Sequence, residues 1–124
     1  MEQAFVDAAS RAKRAGFDAV ELHMGHGYLI HSFLTPLANN RDDHYGGNLA
    51  NRARLALEII GKVRGVVKED YPVLCKISGS DYAEGGLTLK AGDPARHPAC
   101  ARHDPNVFRV SESDLSGAHR RRAQ

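Results

Sequence analysis

The stretch DAVELHMGHGYLIH, residues 18–31, contains a short strand pattern and, directly after it, three histidines and two glycines. Val20 and Leu22 alternate with Glu21 and His23, which is the two-residue period of a strand with one apolar face. The histidines, which are candidate functional residues, therefore begin at the C-terminal end of a predicted strand. Helical and strand patterns on either side decide which kind of sheet this strand joins.

Helix and strand patterns alternate around this stretch. Residues 2–15 place apolar side chains at helical spacing. From Asn48, a typical N-cap, residues 49–70 form a second amphipathic helical pattern. The run VLCKIS, residues 73–78, then follows Pro72 as a second strand. Helix, strand, long loop, helix, strand is the order of a parallel α/β protein.

Two loops follow the predicted strands, and chemistry in parallel α/β folds gathers in such loops. The first covers residues 25–48, with one helical turn expected around YLIHSFL. Loops this long in compact domains usually serve a function. The second is SGSDYAEGGLT, residues 78–88. We expect the functional groups in these two segments.

Composition places the chain among ordinary globular proteins of one domain, with 124 residues and a net charge of +2. That charge is too small to indicate nucleic-acid binding. No apolar run approaches the roughly 18 residues that a membrane span requires. The two cysteines lack metal or disulfide-scaffold spacing. We therefore expect no nucleic-acid or membrane partner and a reduced, cytoplasmic location.

The pattern changes near Leu89. Residues 1–88 carry 10 Lys and Arg against 11 Asp and Glu, whereas residues 89–124 carry 7 against 4. The second segment is rich in Pro, Arg, His and Ser and has almost no apolar periodicity. We expect it to be a separate, largely disordered tail.

His23 ends the predicted strand and His26 follows three residues later, so both imidazoles can point into one space and hold one oxygen atom. A metal is the alternative, but it would need further ligands, and no zinc spacing is present. The candidates for those ligands are His31, His44, Asp42 and Asp43. A phosphate-binding GxGxxG motif fails because position 30 is Ile.

Tyr28 lies two residues beyond His26 and can bring a phenol to the same space as a proton donor. The alternative is that Tyr28 packs in the core with Leu29 and Phe33. His31, which makes the stretch look rich in metal ligands, is predicted to lie on a helix surface.

Lys76 shares one face of the second strand with Leu74 and Ser78. If that face looks into a barrel, Lys76 is a buried cation and needs a partner. Glu21 on the neighbouring strand would make a structural ion pair. The functional alternative is that Lys76 faces an anionic or electron-rich cofactor.

The residues FDAVELHMGHGYLIHSFLTPLANNRDDHYGGNLANRARLALEIIGKVR and PVLCKISGSDYAEGGLT resemble the old yellow enzyme group of flavin oxidoreductases. The nearer branch is the NADH:flavin oxidoreductase, 2-enoate and 2,4-dienoyl-CoA reductase type. The resemblance covers about residues 2–88, and its core is HxxHGYL followed by NxRxDxYGGxxxNRxR. Residues after Leu89 do not resemble the family.

The resemblance implies a (β/α)8 TIM barrel that holds FMN. In the family, NADH or NADPH reduces FMN, which then passes hydride to an activated alkene such as an enone or enoyl thioester. By position, His23 and His26 match the pair that binds the substrate carbonyl, and Tyr28 matches the tyrosine that protonates the α-carbon. Lys76 matches a basic residue beside the flavin, where a cation favours the reduced, anionic form.

Four residues depart from the family pattern: Gly25 for a common Ala, His44 for Glu, and Asn48 and Ala50 for Ser and Glu. These departures concern loop packing and helix capping. Length is the larger departure, because a barrel takes about 250 residues. We therefore expect a partial barrel of about two strands with flanking helices, which binds no FMN when purified alone. A non-catalytic remnant that binds no cofactor is the alternative.

Overall fold

A computed structural model describes residues 1–88 and the backbone of residues 107–111. The elements, in chain order, are α1 (Glu2–Arg14), β1 (Val20–Met24), α2 (Leu29–Leu34), α3 (Leu49–Arg52), α4 (Arg54–Val67), β2 (Val73–Ser78) and β3 (Val107–Ser111). Both predicted strands, the first helix and the helical turn after the first strand are confirmed. None of the helices within the described ranges is long and apolar enough to cross a membrane.

The sheet has the order β1-β2-β3. β1 and β2 are parallel, with Val20 opposite Val73 and Met24 opposite Ile77. Because parallel strands need a crossover, the long connection through α2, α3 and α4 returns the chain to the same end of the sheet. The carboxyl ends of β1 and β2, and the loops that follow them, therefore lie side by side.

β3 pairs antiparallel with β2 along its other edge, with Ser78 opposite Val107. This strand lies in the segment 89–124, which the sequence pattern predicts to be largely disordered. Backbone hydrogen bonds to the open edge of a sheet can stabilise such a strand, so its sequence need not show an apolar period. The expectation of disorder for the other residues of that segment lies outside the described residues.

One face of the sheet packs against the helices and forms the core. Leu22 and Met24 of β1 and Cys75 of β2 are buried on this face. α4 covers them with a stripe of buried residues, and α1 adds two more. The buried residues of α1 and α4 are Val6, Ala9, Leu55, Ala56, Ile59, Val63 and Val67. The predicted apolar stripe of the second long helix is thus confirmed.

The opposite face of the sheet is more open. It carries Glu21 and His23 from β1, in register with Leu74 and Lys76 from β2. Glu21 is exposed and the other three are partly buried. Lys76 therefore shares a face with Leu74, as the alternation predicts.

The helix predicted from Asn48 onward is divided at Ala53 into α3 and α4. Asn48 caps α3, because its side-chain oxygen accepts the Asn51 N–H at 3.0 Å. The arginines on either side of the break donate to different parts of the loop: Arg52 to the Leu34 carbonyl and Arg54 to the His44 carbonyl. These contacts attach the loop to the helices that bury the core.

Candidate active site

Three aromatic rings gather at the carboxyl end of β1. The ring centroids of His23 and His26 are 5.2 Å apart, and those of His23 and Tyr28 are 5.3 Å apart. His23 belongs to the open face of the sheet, and the other two lie on the turn between β1 and α2. The structure therefore brings together the three residues that the sequence selects.

The turn that carries His26 has an unusual backbone. His26 has a φ of 57° and Gly27 a φ of 77°, both in the left-handed region, which is uncommon for a residue with a side chain. The His26 N–H donates to Ser78 Oγ at 2.9 Å. Ser78 is the last residue of β2, so this contact ties the turn to the neighbouring strand.

Gly25 makes this contact possible. A Cβ atom at position 25 would lie 2.8 Å from Ser78 Oγ and 3.1 Å from Ser78 N. The glycine at this position therefore leaves room for the Ser78 hydroxyl to accept from His26.

Tyr28 lies at the N-cap position of α2 and is 66% exposed. Its ring lies beside His23 and not in the core, so the alternative of core packing is wrong. The phenol is consequently available to a ligand placed over the open face of the sheet.

His31 differs from the sequence prediction. It is buried, and its ring is only 9% exposed, so its assignment to a helix surface is wrong. Nδ1 accepts the Gly27 N–H at 2.6 Å, and Nε2 lies 2.8 Å from Asp81 Oδ1. The physical reason is that α2 has only six residues and its inner side faces the loop after β2.

Asp81 was missed by the sequence analysis. Its carboxylate is 6% exposed and receives hydrogen bonds from His31, from Thr35 Oγ1 at 2.5 Å and from the Leu87 N–H at 2.7 Å. Burial opposes ionisation, but the hydrogen bonds from Thr35, Leu87 and His31 outweigh it, so the pKa of Asp81 is lowered. The loop itself was selected, but no spacing rule connects residues 50 positions apart.

Lys76 lies opposite His23 in the parallel register and is partly buried. Within residues 1–88, none of the salt bridges involves Lys76, so the proposed structural pair with Glu21 is not formed. A lysine on the open face, in register with His23, is suited to an anionic or electron-rich ligand.

A metal centre has no support in the part of the chain that the structure describes, where no three His, Cys, Asp or Glu side chains could share an ion. A cavity of about 500 Å³ lies elsewhere, beside the first turn of α1. Its other lining residues are Phe33, Arg41, Tyr45, Leu55 and Lys62. It includes none of the three clustered rings, so it is separate from the candidate site.

The described fold is part of a (β/α)8 TIM barrel: two parallel strands with helices on one face and polar side chains at the carboxyl ends of the strands. The family model of the NADH:flavin oxidoreductase / NADH oxidase family matches residues 1–100. The chain belongs to this family. The resemblance to the old yellow enzyme group is thereby confirmed.

Individual relatives agree with this assignment. The chain is 52% identical over 87 residues to an NADPH dehydrogenase of Bacillus subtilis, covering 70% of this chain and 25% of the relative. It is 51% identical over 90 residues to an NADH oxidase of Thermoanaerobacter brockii, covering 73% and 14% respectively. An NADPH dehydrogenase of Clostridium acetobutylicum is 51% identical over 116 residues, which is 94% of this chain and 34% of that protein.

Two solved structures are similar in fold. A 2-naphthoyl-CoA reductase in complex with 2-naphthoyl-CoA matches with a TM-score of 0.68 and 41% identity, covering 70% of this chain and 13% of that one. Old Yellow Enzyme from Pichia sp. AKU4542 matches with a TM-score of 0.63 and 40% identity, covering 73% and 24%. The predicted fold class is confirmed.

The chain spans about a third or less of the length of these relatives. The family match to residue 100 and the Clostridium match both extend past Leu89. The boundary between residues 1–88 and 89–124 stays a prediction.

Proposed function

We propose that residues 1–88 supply the substrate clamp of an FMN-dependent ene-reductase, acting as one part of a complete barrel. The clamp comprises His23, His26 and Tyr28. The substrate would be an activated alkene, such as an enone or an enoyl thioester. The observation that carries the proposal is the gathering of these three rings at the carboxyl end of β1, beside Lys76.

The two histidines are suited to hold a carbonyl oxygen. A nitrogen–oxygen hydrogen bond measures about 2.9 Å, and the two ring centroids are only 5.2 Å apart, so one oxygen can be shared between the rings. Donation from both rings stabilises negative charge on that oxygen and makes the β-carbon electrophilic. The similar 2-naphthoyl-CoA reductase holds 2-naphthoyl-CoA, an acyl thioester, and this supports the proposed substrate class.

Tyr28 is proposed as the proton donor. After hydride reaches the β-carbon, the α-carbon must accept one proton to complete the reduction of the double bond. The Tyr28 ring is adjacent to His23 and exposed on the side where a clamped substrate would lie. Its O–H is therefore available to that carbon.

Lys76 is the residue of this segment that fits a flavin. Lys76 is a partly buried residue of the open face, in register with His23, and none of the salt bridges within residues 1–88 involves it. FMN, when bound, supplies the hydride that it has received from NADH or NADPH. The relatives include an NADH oxidase and NADPH dehydrogenases, so the proposal extends to either nicotinamide.

The test is a chimera in which the matching 87 residues of the Bacillus subtilis NADPH dehydrogenase are replaced by those of this chain. We expect the chimera to bind FMN and a phenolic ligand that gives a charge-transfer band. His23→Ala should weaken phenol binding by at least about tenfold, the effect of losing about 1.4 kcal/mol. Tyr28→Phe should retain binding but slow alkene reduction.

His44→Ala is the matched control, because His44 is an exposed histidine outside the three-ring cluster. It should change neither property. Phenol binding that is unaffected by His23→Ala would contradict the clamp.

A second candidate is a non-catalytic remnant, and β3 is the observation that favours it. β3 pairs antiparallel along the edge of β2 where a further parallel strand would pair in a complete barrel. The sequence on both sides of its gene separates the candidates. Stop codons on both sides favour the remnant, and a continuous reading frame favours the enzyme. We expect the isolated chain to bind no FMN, and stoichiometric binding would overturn that expectation.

The oligomeric state is left open. A cytoplasmic location remains a proposal that rests on the sequence, in which Cys75 and Cys100 have no disulfide-scaffold spacing.

A further inference from the structure

We propose that His31 and Asp81 are positioning residues of the substrate clamp: His31 holds the Gly27 amide through Nδ1, and Asp81 fixes the tautomer of His31. This inference rests on the proposed function only for its consequence in catalysis. The geometry on which it stands is independent of any ligand.

The two nitrogens of His31 have different partners. Nδ1 lies 2.6 Å from the Gly27 nitrogen, whose only role can be that of a donor, so Nδ1 accepts and carries no proton. The proton of the neutral ring is therefore on Nε2, which faces Asp81 Oδ1 at 2.8 Å. A buried carboxylate at this nitrogen stabilises that tautomer and disfavours the other.

Asp81 is itself held rigidly. Its second oxygen, Oδ2, receives the Thr35 hydroxyl and the Leu87 N–H. The Asp81 N–H in turn donates to the Leu87 carbonyl at 3.0 Å. The carboxylate thus joins α2 to the loop after β2, and its position does not depend on the clamp turn.

The consequence for the clamp follows from the place of Gly27, which stands between His26 and Tyr28. The turn has two side-chain anchors: the His26 N–H on Ser78 and the Gly27 N–H on His31. Both clamp rings on this turn therefore owe their direction to groups outside it. His26 has a left-handed backbone, which in a residue with a side chain persists only where the surroundings hold it.

Two substitutions at His31 separate its two bonds. In His31→Asn the side-chain oxygen lies where Nδ1 was, so acceptance from Gly27 is retained and the link to Asp81 is lost. In His31→Gln the side-chain amide reaches the position of Nε2, so the link to Asp81 is retained and the acceptor for Gly27 is lost. A role limited to stabilising α2 predicts no such difference.

The experiment uses the full 124-residue chain and measures ring ¹⁵N shifts and amide hydrogen exchange by NMR. We expect His31 to be protonated at Nε2 alone near neutral pH. The Gly27 amide should exchange at least about tenfold faster in His31→Gln, but near the parent rate in His31→Asn. The Thr35 amide, which donates to the His31 carbonyl within α2, reports helix stability and should change little in either variant.

Protonation of His31 at Nδ1, a mixture of tautomers, or equal Gly27 exchange in the parent and His31→Gln would each overturn the inference. In the chimera, His31→Gln should also weaken phenol binding without changing flavin content. If the parent chimera binds no phenol, the proposed function fails, while the Gly27 exchange pattern still decides the positioning role.

Discussion

The two faces of the β1–β2 sheet have different roles: the helix side forms the core, and the open side carries residues of the candidate site. On the helix side, Met24 and Cys75 are almost completely buried among aliphatic side chains. On the open side, their chain neighbours His23 and Lys76 are only partly buried and point polar groups away from that core. Successive side chains of a strand point to opposite faces. Adjacent residues of one strand therefore contribute either to the core or to the candidate site.

From this contrast we expect substitutions on the open side to cost less stability than substitutions on the helix side. Burial of an aliphatic side chain contributes about 1.5–3 kcal/mol, whereas exposed polar groups contribute little. The turn that carries His26 is held instead by a hydrogen bond to Ser78 at the end of β2, and His31 is held by Asp81 in the loop after β2. These hydrogen bonds connect the candidate site to the rest of the fold.

The largest effect is expected from a matched pair of substitutions on β1. Met24→Ala should lower the free energy of unfolding by about 2–5 kcal/mol, because Met24 is 1% exposed and its removal leaves a cavity. His23→Ala should change it by about 0.5 kcal/mol or less. Urea denaturation of both variants measures the difference, and equal losses would contradict the division between the faces.

The sequence predicts the helix-side face well because burial imposes periodicity. The stripe through Leu55, Ile59 and Val63 and the alternation in both strands are visible without a structure. The three clamp rings are also predictable, since strand-end position and family resemblance both select them. Their placement at one end of β1 is observed, and their catalytic roles remain proposals.

The supporting contacts could not be predicted in the same way. His31 and Asp81 are 50 residues apart, and their pairing depends on how a six-residue helix meets the following loop. β3 likewise depends on a free strand edge and not on apolar period. Such contacts arise from tertiary geometry, which local patterns do not encode.

The next largest effect is expected at Asp81. Asp81→Ala leaves the His31 Nε2–H, the Thr35 hydroxyl and the Leu87 N–H without their acceptor in a buried site. We expect a loss of about 2–3 kcal/mol in the free energy of unfolding. Asp42→Ala is the control, because Asp42 is an exposed loop carboxylate and should cost little. A loss equal to that of the control would show that the network does not stabilise the loops.

Acid should remove part of this contribution. The pKa of Asp81 is lowered from its ordinary value of 3.8, because hydrogen bonds from Thr35, Leu87 and His31 outweigh the effect of burial. The unfolded chain therefore binds a proton first as pH falls. The contribution is fully present above that value and is lost as pH falls through the lower, folded pKa.

The measurement is urea denaturation of the parent and Asp81→Asn between about pH 5 and the lowest pH at which the parent folds. The stability difference between them should shrink as pH falls. Asp43, whose pKa is lowered to about 2 by the Arg41 guanidinium and the Tyr45 N–H, titrates in both proteins and cancels in the comparison. A difference that is constant over this range would contradict the assignment to Asp81.

The smallest effect is expected at Gly25. It tests whether packing at this position constrains the turn that carries the clamp. Gly25→Ala should cost about 1–2 kcal/mol, because the new Cβ would meet Ser78 Oγ at 2.8 Å. In a Ser78→Ala background the cost should fall, since the 2.8 Å contact is removed and the nearest remaining atom is the position 78 nitrogen at 3.1 Å. A double-mutant cycle should therefore give a coupling of at least about 0.5 kcal/mol.

The same cycle links packing to the direction of the clamp. An alanine at position 25 is relieved when the Ser78 hydroxyl turns away, and the His26 N–H then loses its acceptor. Faster exchange of the His26 amide in Gly25→Ala, with the Gly27 amide unchanged, would show that the turn has two independent anchors. If the two substitutions are additive, the Ser78 hydroxyl is not what excludes a side chain at position 25, and its contact with His26 does not depend on the glycine.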